Sequence, residues 1–218
     1  MKNRPILFLA AVLSLAAAAR ADIYIRPNGT YAFPTGHPYS SRAGAGISAG
    51  WDWNSRFALE LGLRFWSVPV TASTGGLSRG ILRVLPLECA VRYRRPLGSN
   101  LHLYGEAGAA YAFHSFSLDE GIQAAWKELG FSIDESAKNG PAAHLGIGFE
   151  YALSPKTAVD LGIRWHLLRT KGEWSFTDDA SGMSQDGTIE KLNFDALTLS
   201  LGVKIAIFDL DGDGAQRE

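Results

Sequence analysis

Phe57-Ala58-Leu59-Glu60-Leu61-Gly62-Leu63-Arg64-Phe65 decides how this chain is read. Every odd position is large and apolar, and every even one is small or charged. A β-strand sends successive side chains to opposite faces, so one face here is oily and the other carries Glu60 and Arg64. An ordinary soluble strand can do this once. This chain does it about eight times, with the apolar set on odd numbers throughout. Charges recur on the even set. That combination predicts a closed barrel with lipid outside and a polar filling inside.

Working outward, alternation and turn signals place eight strands. They cover 22–33, 43–51, 55–66, 80–93, 100–113, 142–153, 156–168 and 192–208. Lengths of about 9 to 17 residues suit tilted spanning strands, which need about 9 to 11 residues within the hydrocarbon. The connections alternate: 52–54, 94–99 and 154–155 are tight, whereas 34–42, 67–79, 114–141 and 169–191 are long and polar. Short turns at one end and long loops at the other is the asymmetry of an outer-membrane barrel, and it puts both termini on the short-turn, periplasmic side. Two aromatic girdles are expected at the interfaces. Trp51, Trp53, Phe57, Tyr93, Phe149, Tyr151 and Phe208 mark the short-turn end, and Phe65, Trp66, Tyr111, Phe113, Trp165 and Phe194 the loop end. Within the third long loop, Ile122, Ala125, Trp126 and Leu129 recur at helical spacing behind Asp119 and Glu120. Acidic residues suit a helix N-terminus, so a short amphipathic helix over 118–129 is expected, on the rim or over the mouth.

The bulk numbers agree. The chain has 218 residues, a net charge of −1 and 46% hydrophobic content. That excludes a disordered chain and gives no basic footprint for nucleic acid. A mean hydropathy of −0.01 is too polar for a bundle of membrane helices. Twenty-four glycines suit tight turns and a crowded barrel interior. The single cysteine, Cys89, excludes an intrachain disulfide. At the N-terminus, Lys2 and Arg4 precede an apolar run over 6–19, and Ala19-Arg20-Ala21 has the small-x-small cleavage pattern. Residues 1–21 therefore read as a secretory signal peptide, 22–208 as the barrel and 209–218 as an acidic periplasmic tail. The tail, Asp209-Leu210-Asp211-Gly212-Asp213-Gly214, begins like a calcium loop but stops short of the twelfth-position Glu that an EF-hand requires.

By parity the even face presents Arg26, Glu60, Arg64, Glu88, Arg92, Glu106, Glu150, Asp160, Arg164 and Lys204, acids and bases in equal number. An eight-stranded barrel is just wide enough to be filled by side chains. Charges there must be paired, because a lone buried ion costs several kcal/mol. A balanced ion-pair plug is the first expectation, and a narrow gated polar path the second. The inward small positions Gly44, Gly46, Ser48 and Gly50 leave room for the long arginines opposite. Arg83 faces outward near the loop end, where it could snorkel or grip a lipopolysaccharide phosphate. His102, His144 and His166 face inward at spacings that match no common metal motif, and are expected to be satisfied interior histidines. His114, Ser115, Ser117, Asp119 and Glu120 gather at the loop rim, but closeness in sequence does not make a nucleophile–base pair.

The mature chain resembles the small outer-membrane β-barrel families, the OmpA-, OmpX- and OmpW-like proteins. The strand pattern carries the likeness, together with the segments 146–155 and 160–165 and the ending Ser200-Leu201-Gly202-Val203-Lys204-Ile205-Ala206-Ile207. In that ending Ser200, Gly202, Ile205 and Ile207 match the family's C-terminal signal, which implies recognition by the barrel-assembly machinery. Family members often end on an aromatic residue, whereas Phe208 comes one step late and ten residues follow. The expected fold is an all-β, eight-stranded antiparallel transmembrane barrel with a short helix in the third long loop. The expected partners are outer-membrane lipids and lipopolysaccharide, with no cofactor and no metal. The expected role is a non-enzymatic, envelope-structural or surface-contact barrel with a plugged charged interior. The alternatives are an OmpW-like small-solute channel and, behind it, a lipid A-modifying enzyme.

Overall fold

The computed structural model describes residues 23–35, 39–71 and 77–208. The expected signal peptide and acidic tail lie outside the described residues. The elements are β1 (Ile23–Pro34), β2 (Arg42–Asp52), β3 (Phe57–Val70), β4 (Gly80–Pro96), β5 (Leu101–Leu118), α1 (Glu120–Glu128), β6 (Phe131–Ala137), β7 (Gly140–Ser154), β8 (Thr157–Asp178), β9 (Ser184–Asn193) and β10 (Ala196–Phe208). Eight of them close a ring of antiparallel neighbours: β1, β2, β3, β4, β5, β7, β8 and β10, with β10 pairing back to β1. Closure leaves the eight-stranded ring without a free edge, which hydrocarbon requires. Among the described residues no helix is long and apolar enough to cross a membrane.

One parity holds around the ring because directly opposed residues have numbers of the same parity. Phe57 faces Tyr93, Gly80 faces Leu118, Leu101 faces Tyr151 and Leu197 faces Trp165. Opposed residues share a face, so odd numbers stay outside from strand to strand. In β4 every even residue from Gly80 to Arg94 is buried and every odd one to Arg95 is exposed. The tight turns are built by side chains: Asn54 Oδ1 accepts from the backbone N–H groups of Arg56 and Phe57, each at 2.8 Å.

The long-loop end departs from expectation. Residues 169–191 are not a loop. β8 runs on for 22 residues, and its far half pairs with β6 on one side and β9 on the other. The three strands form a sheet that projects beyond the barrel. Between Thr170 and Gly172 the register shifts, with Thr170 opposite Leu192 and Gly172 opposite Ile189. Such a bulge re-aims the side chains beyond it and breaks the parity. The expected helix is present as α1, capped by Asp119, whose carboxylate accepts from the Gly121 N–H. Trp126 lays α1 against this sheet, 5.5 Å from the Phe176 ring and 6.2 Å from Phe131. The expected last strand, 192–208, is broken at Phe194 and Asp195, where the chain steps from β9 to β10.

The interior has two layers. The short-turn half is charged. The long-loop half is apolar, formed by Trp66, Val68, Val70, Leu82, Val84, Ala112, Leu168, Leu192 and Phe194, with Leu77 folded in from the connection after β3. This corrects the expectation of a uniformly polar interior. It also corrects two girdle assignments, since Trp66 and Phe194 carry even numbers and point into the barrel. The remaining large aromatics Phe65, Tyr111, Phe113 and Trp165 do face outward.

Candidate functional site

The charged layer is built from alternate residues of strands all round the ring. Arg92 on β4 sits at its centre. Its guanidinium reaches Asp160 at 2.7 Å, Glu106 at 2.8 Å, Glu60 at 3.3 Å and Glu150 at 3.6 Å. The group also lies 3.6 Å over the Tyr104 ring. Arg26 pairs with Glu60 and, at 3.1 Å, with Asp160. Arg164 pairs with Glu106. Arg64 donates to Glu88 at 2.7 Å. Toward the short-turn end Lys204 reaches Asp52 at 2.9 Å and Glu150 at 3.5 Å.

All the sequence-predicted interior charges therefore face the lumen, and all but the Arg64–Glu88 pair join one connected network. Within that network Glu60, Glu106, Glu150 and Asp160 each touch at least two bases, so no oxygen-rich cluster is left to repel itself. Sequence reading missed four members. Arg94 and Asp52 fall in segments assigned to turns, yet β4 and β2 extend far enough to turn them inward, where they pair at 2.6 Å. Their even numbers were the available signal. Tyr24 donates to Glu60 at 2.6 Å and Tyr104 to Asp160 at 3.1 Å. Phenols filling a lumen look the same in sequence as girdle residues, and parity again separates them.

The small inward residues make space for specific partners. A Cβ on Gly50 would strike the Tyr24 ring, and one on Gly46 would meet Arg64 Cγ at 3.0 Å. Gly148 and Gly162 flank the Tyr104 hydroxyl in the same way.

Above the network stand His144 and His166, with ring centroids 5.6 Å apart. His166 shares a hydrogen with Thr198 Oγ1 at 3.1 Å, as expected of an interior histidine. His102 and His144 depart from that expectation, because each has a buried Nδ1 without a hydrogen-bond partner among the described residues. Glu88 Oε1 is in the same position. Glu88, His144 and His166 can each present one ligand atom within 4.8 Å of the others. The lumen beside Glu88 and His144 holds a cavity of about 10 Å³, close to the smallest space that takes one water.

The remaining sites are peripheral. Arg83 is exposed on the outer face and donates to Ser117 Oγ at 2.9 Å. Ser115 and Ser117 share that face, whereas His114 turns inward, its ring 5.3 Å from Phe194 and Nδ1 2.9 Å from the Lys138 carbonyl. Strand alternation thus separates the rim serines from their nearest histidine in sequence. In the C-terminal segment Ser200 is buried and donates to the Gly162 carbonyl at 3.2 Å. Gly202 packs on the Pro27 carbonyl, while Ile205 and Ile207 face outward.

Comparison with known proteins agrees with this architecture. No curated protein sequence matches the chain. Among solved structures, the outer membrane protein OprG from Pseudomonas aeruginosa superposes with a TM-score of 0.64 at 17% identity, covering 87% of this chain and 97% of that one. Neisserial surface protein A gives 0.57 at 15% identity, covering 86% and 99%. The outer membrane protein AlkL gives 0.55 at 15% identity, covering 90% and 94%. These likenesses fix the fold alone. Residues 6–205 match the family described as "Outer membrane protein beta-barrel domain". With a closed ring of eight strands, an oily exterior and a match over nearly its whole length, the chain belongs to the outer-membrane protein β-barrel family.

Proposed function

We propose that the protein is a closed, non-conducting and non-enzymatic barrel whose working surface is the structure at its long-loop end. One observation carries this reading: the cross-section at Arg92 is spanned by a guanidinium held on four carboxylates, Glu60, Glu106, Glu150 and Asp160. An ion entering from either end meets charges that already satisfy one another, and an apolar layer with nothing to replace its hydration. The sheet of β6, β8 and β9 with α1 projects from the long-loop end as the surface for contact. It carries a groove of about 320 Å³ lined by Asp134, Ser136, Glu173, Trp174, Asp186 and Thr188.

In this reading both termini face the periplasm, residues 1–21 are the export signal, and 209–218 are an acidic periplasmic tail. Arg83, outward at the loop-end interface, supports contact with a lipopolysaccharide phosphate. The segment bearing Ser200, Gly202, Ile205 and Ile207 supports capture by the barrel-assembly machinery. Planar-bilayer recording on the folded protein tests the central claim. A silent bilayer is expected, and steady single-channel steps overturn the closed barrel.

A second reading has its own observation in favour. The apolar long-loop half, from Trp66 to Phe194, is the lining a small apolar solute would wet. It predicts that expression raises uptake of a short labelled alkane into cells. The closed-barrel reading predicts unchanged uptake.

A further inference from the structure

Where the charged and apolar layers meet, Glu88 on β4, His144 on β7 and His166 on β8 converge in the lumen, all buried. We infer that Glu88, His144 and His166 form a binding site for a divalent transition cation of the zinc type.

Convergence, together with unpaired atoms, points to a ligand. Glu88 Oε1 and His144 Nδ1 are two of twelve buried side-chain atoms with no hydrogen-bond partner among the described residues, and of the residues that bear those atoms only Glu88 and His144 belong to a group of three metal-type side chains that converges. A buried polar atom gains by finding a partner. In the charged layer below, every predicted carboxylate touches a base. The third member is placed to join them: His166 Nδ1 lies 3.7 Å from Glu88 Oε1. Two imidazoles and one carboxylate are the donor set that borderline divalent ions prefer over calcium or magnesium.

The surroundings resemble the outer shell of a metal site. Arg64 Nε donates to Glu88 Oε2 at 2.7 Å, which fixes the carboxylate and leaves Oε1 free. Thr198 Oγ1 engages His166 Nε2 at 3.1 Å, which fixes the ring and turns Nδ1 toward Glu88. Gly108 matters here because a Cβ at that position would strike the His144 ring. The small cavity beside Glu88 and His144 offers room for a fourth ligand of water size. Arg64 and Arg164 line the same cavity, so their charge favours an anion in that place, such as hydroxide or chloride. The ligand atoms lie within 4.8 Å of one another. In a tetrahedral set they are about 3.3 Å apart. Glu88 Oε1 and His166 Nδ1 are already 3.7 Å apart, so most of the closure falls on His144.

The ring of strands blocks exchange from the side, so the ion is loaded as the barrel closes. The test uses full-length protein without an affinity tag, refolded into micelles with Zn²⁺ and desalted, with metal counted by mass spectrometry. About one ion per barrel is expected, falling at least tenfold in Glu88→Gln and in His144→Gln. His102→Gln and His114→Gln keep the ion. Thr198→Val weakens the affinity about tenfold by releasing the His166 ring. Heat-modified gel migration establishes that each variant is folded. If the lumenal variants fail that check, the unaltered protein refolded with Co²⁺ decides: a visible absorption band of histidine-ligated cobalt supports the site, and its absence overturns it. Less than about a tenth of an ion per unaltered barrel, or full retention by folded Glu88→Gln and His144→Gln, also overturns it.

Discussion

Arg92 shows what a single residue does in this lumen. It is the common partner of four carboxylates on β3, β5, β7 and β8. Removing one member of a buried pair strands the others, at about 3–5 kcal/mol. Arg92→Ala is therefore expected to lower the urea midpoint of the micelle-folded barrel by an amount equivalent to several kcal/mol. Arg83→Ala, on the outer face with one hydroxyl partner, should stay within about 0.5 kcal/mol. An unchanged midpoint for Arg92→Ala would contradict the network. Glycine offers a second contrast. Gly50→Val forces the Tyr24 ring away from Glu60 and should destabilise by about 1–3 kcal/mol, the usual cost of overpacking. Gly29 faces outward, and a Cβ there would meet nothing within 4 Å, so Gly29→Ala should bring no loss. The same urea titrations compare the two.

Among the elements, the barrel strands were legible in the sequence and the projecting sheet was not. In the barrel, tight turns keep opposed residues at equal parity, so one rule sorts Leu61 from Glu60 on β3 and Ile163 from Arg164 on β8. In β9 the register shift at Thr170 and Gly172 reverses that rule, and the residues are mostly polar on both faces. Neither alternation nor hydrophobicity then marks a strand. The apolar layer escaped for a different reason. Trp66, Val84 and Phe194 carry the same parity as the charges, and their height in the barrel depends on stagger between strands, which no single strand encodes. The same physics separates the elements dynamically. Backbone amides of 174–177 and 184–188 pair only in the projecting sheet and should exchange hydrogen far faster than those of 158–166. Equal protection of the two sets would mean that the projection and the barrel open as one unit. Near the mouth, Tyr39 bridges to Val70 and rests edge-on against Phe194, 5.1 Å between centroids. Burial pushes its phenol up to about 12. The folded state holds this proton at a pH where the unfolded chain has released it, so the contribution is intact below about pH 10 and is lost as pH rises toward 12. Ultraviolet titration of Tyr39→Phe should show one fewer tyrosine ionising late than in the unaltered protein.

For the whole molecule, stability is a property of closure. The ring is complete only when β10 pairs with both β1 and β8. Deleting 196–208 should abolish the fast-migrating unboiled gel form, whereas replacing 172–190 by a short turn should preserve it, because that segment lies beyond the ring. A truncated chain that still migrates as a folded barrel would refute this. The side of β1 turned away from β2, meanwhile, has no neighbour among the described residues but the thirteen-residue strand β10. A nonsense codon early in β10 would therefore act as a null allele. β10 must be synthesised before β1 finds its second mate, so the nascent polypeptide is expected to need a soluble escort.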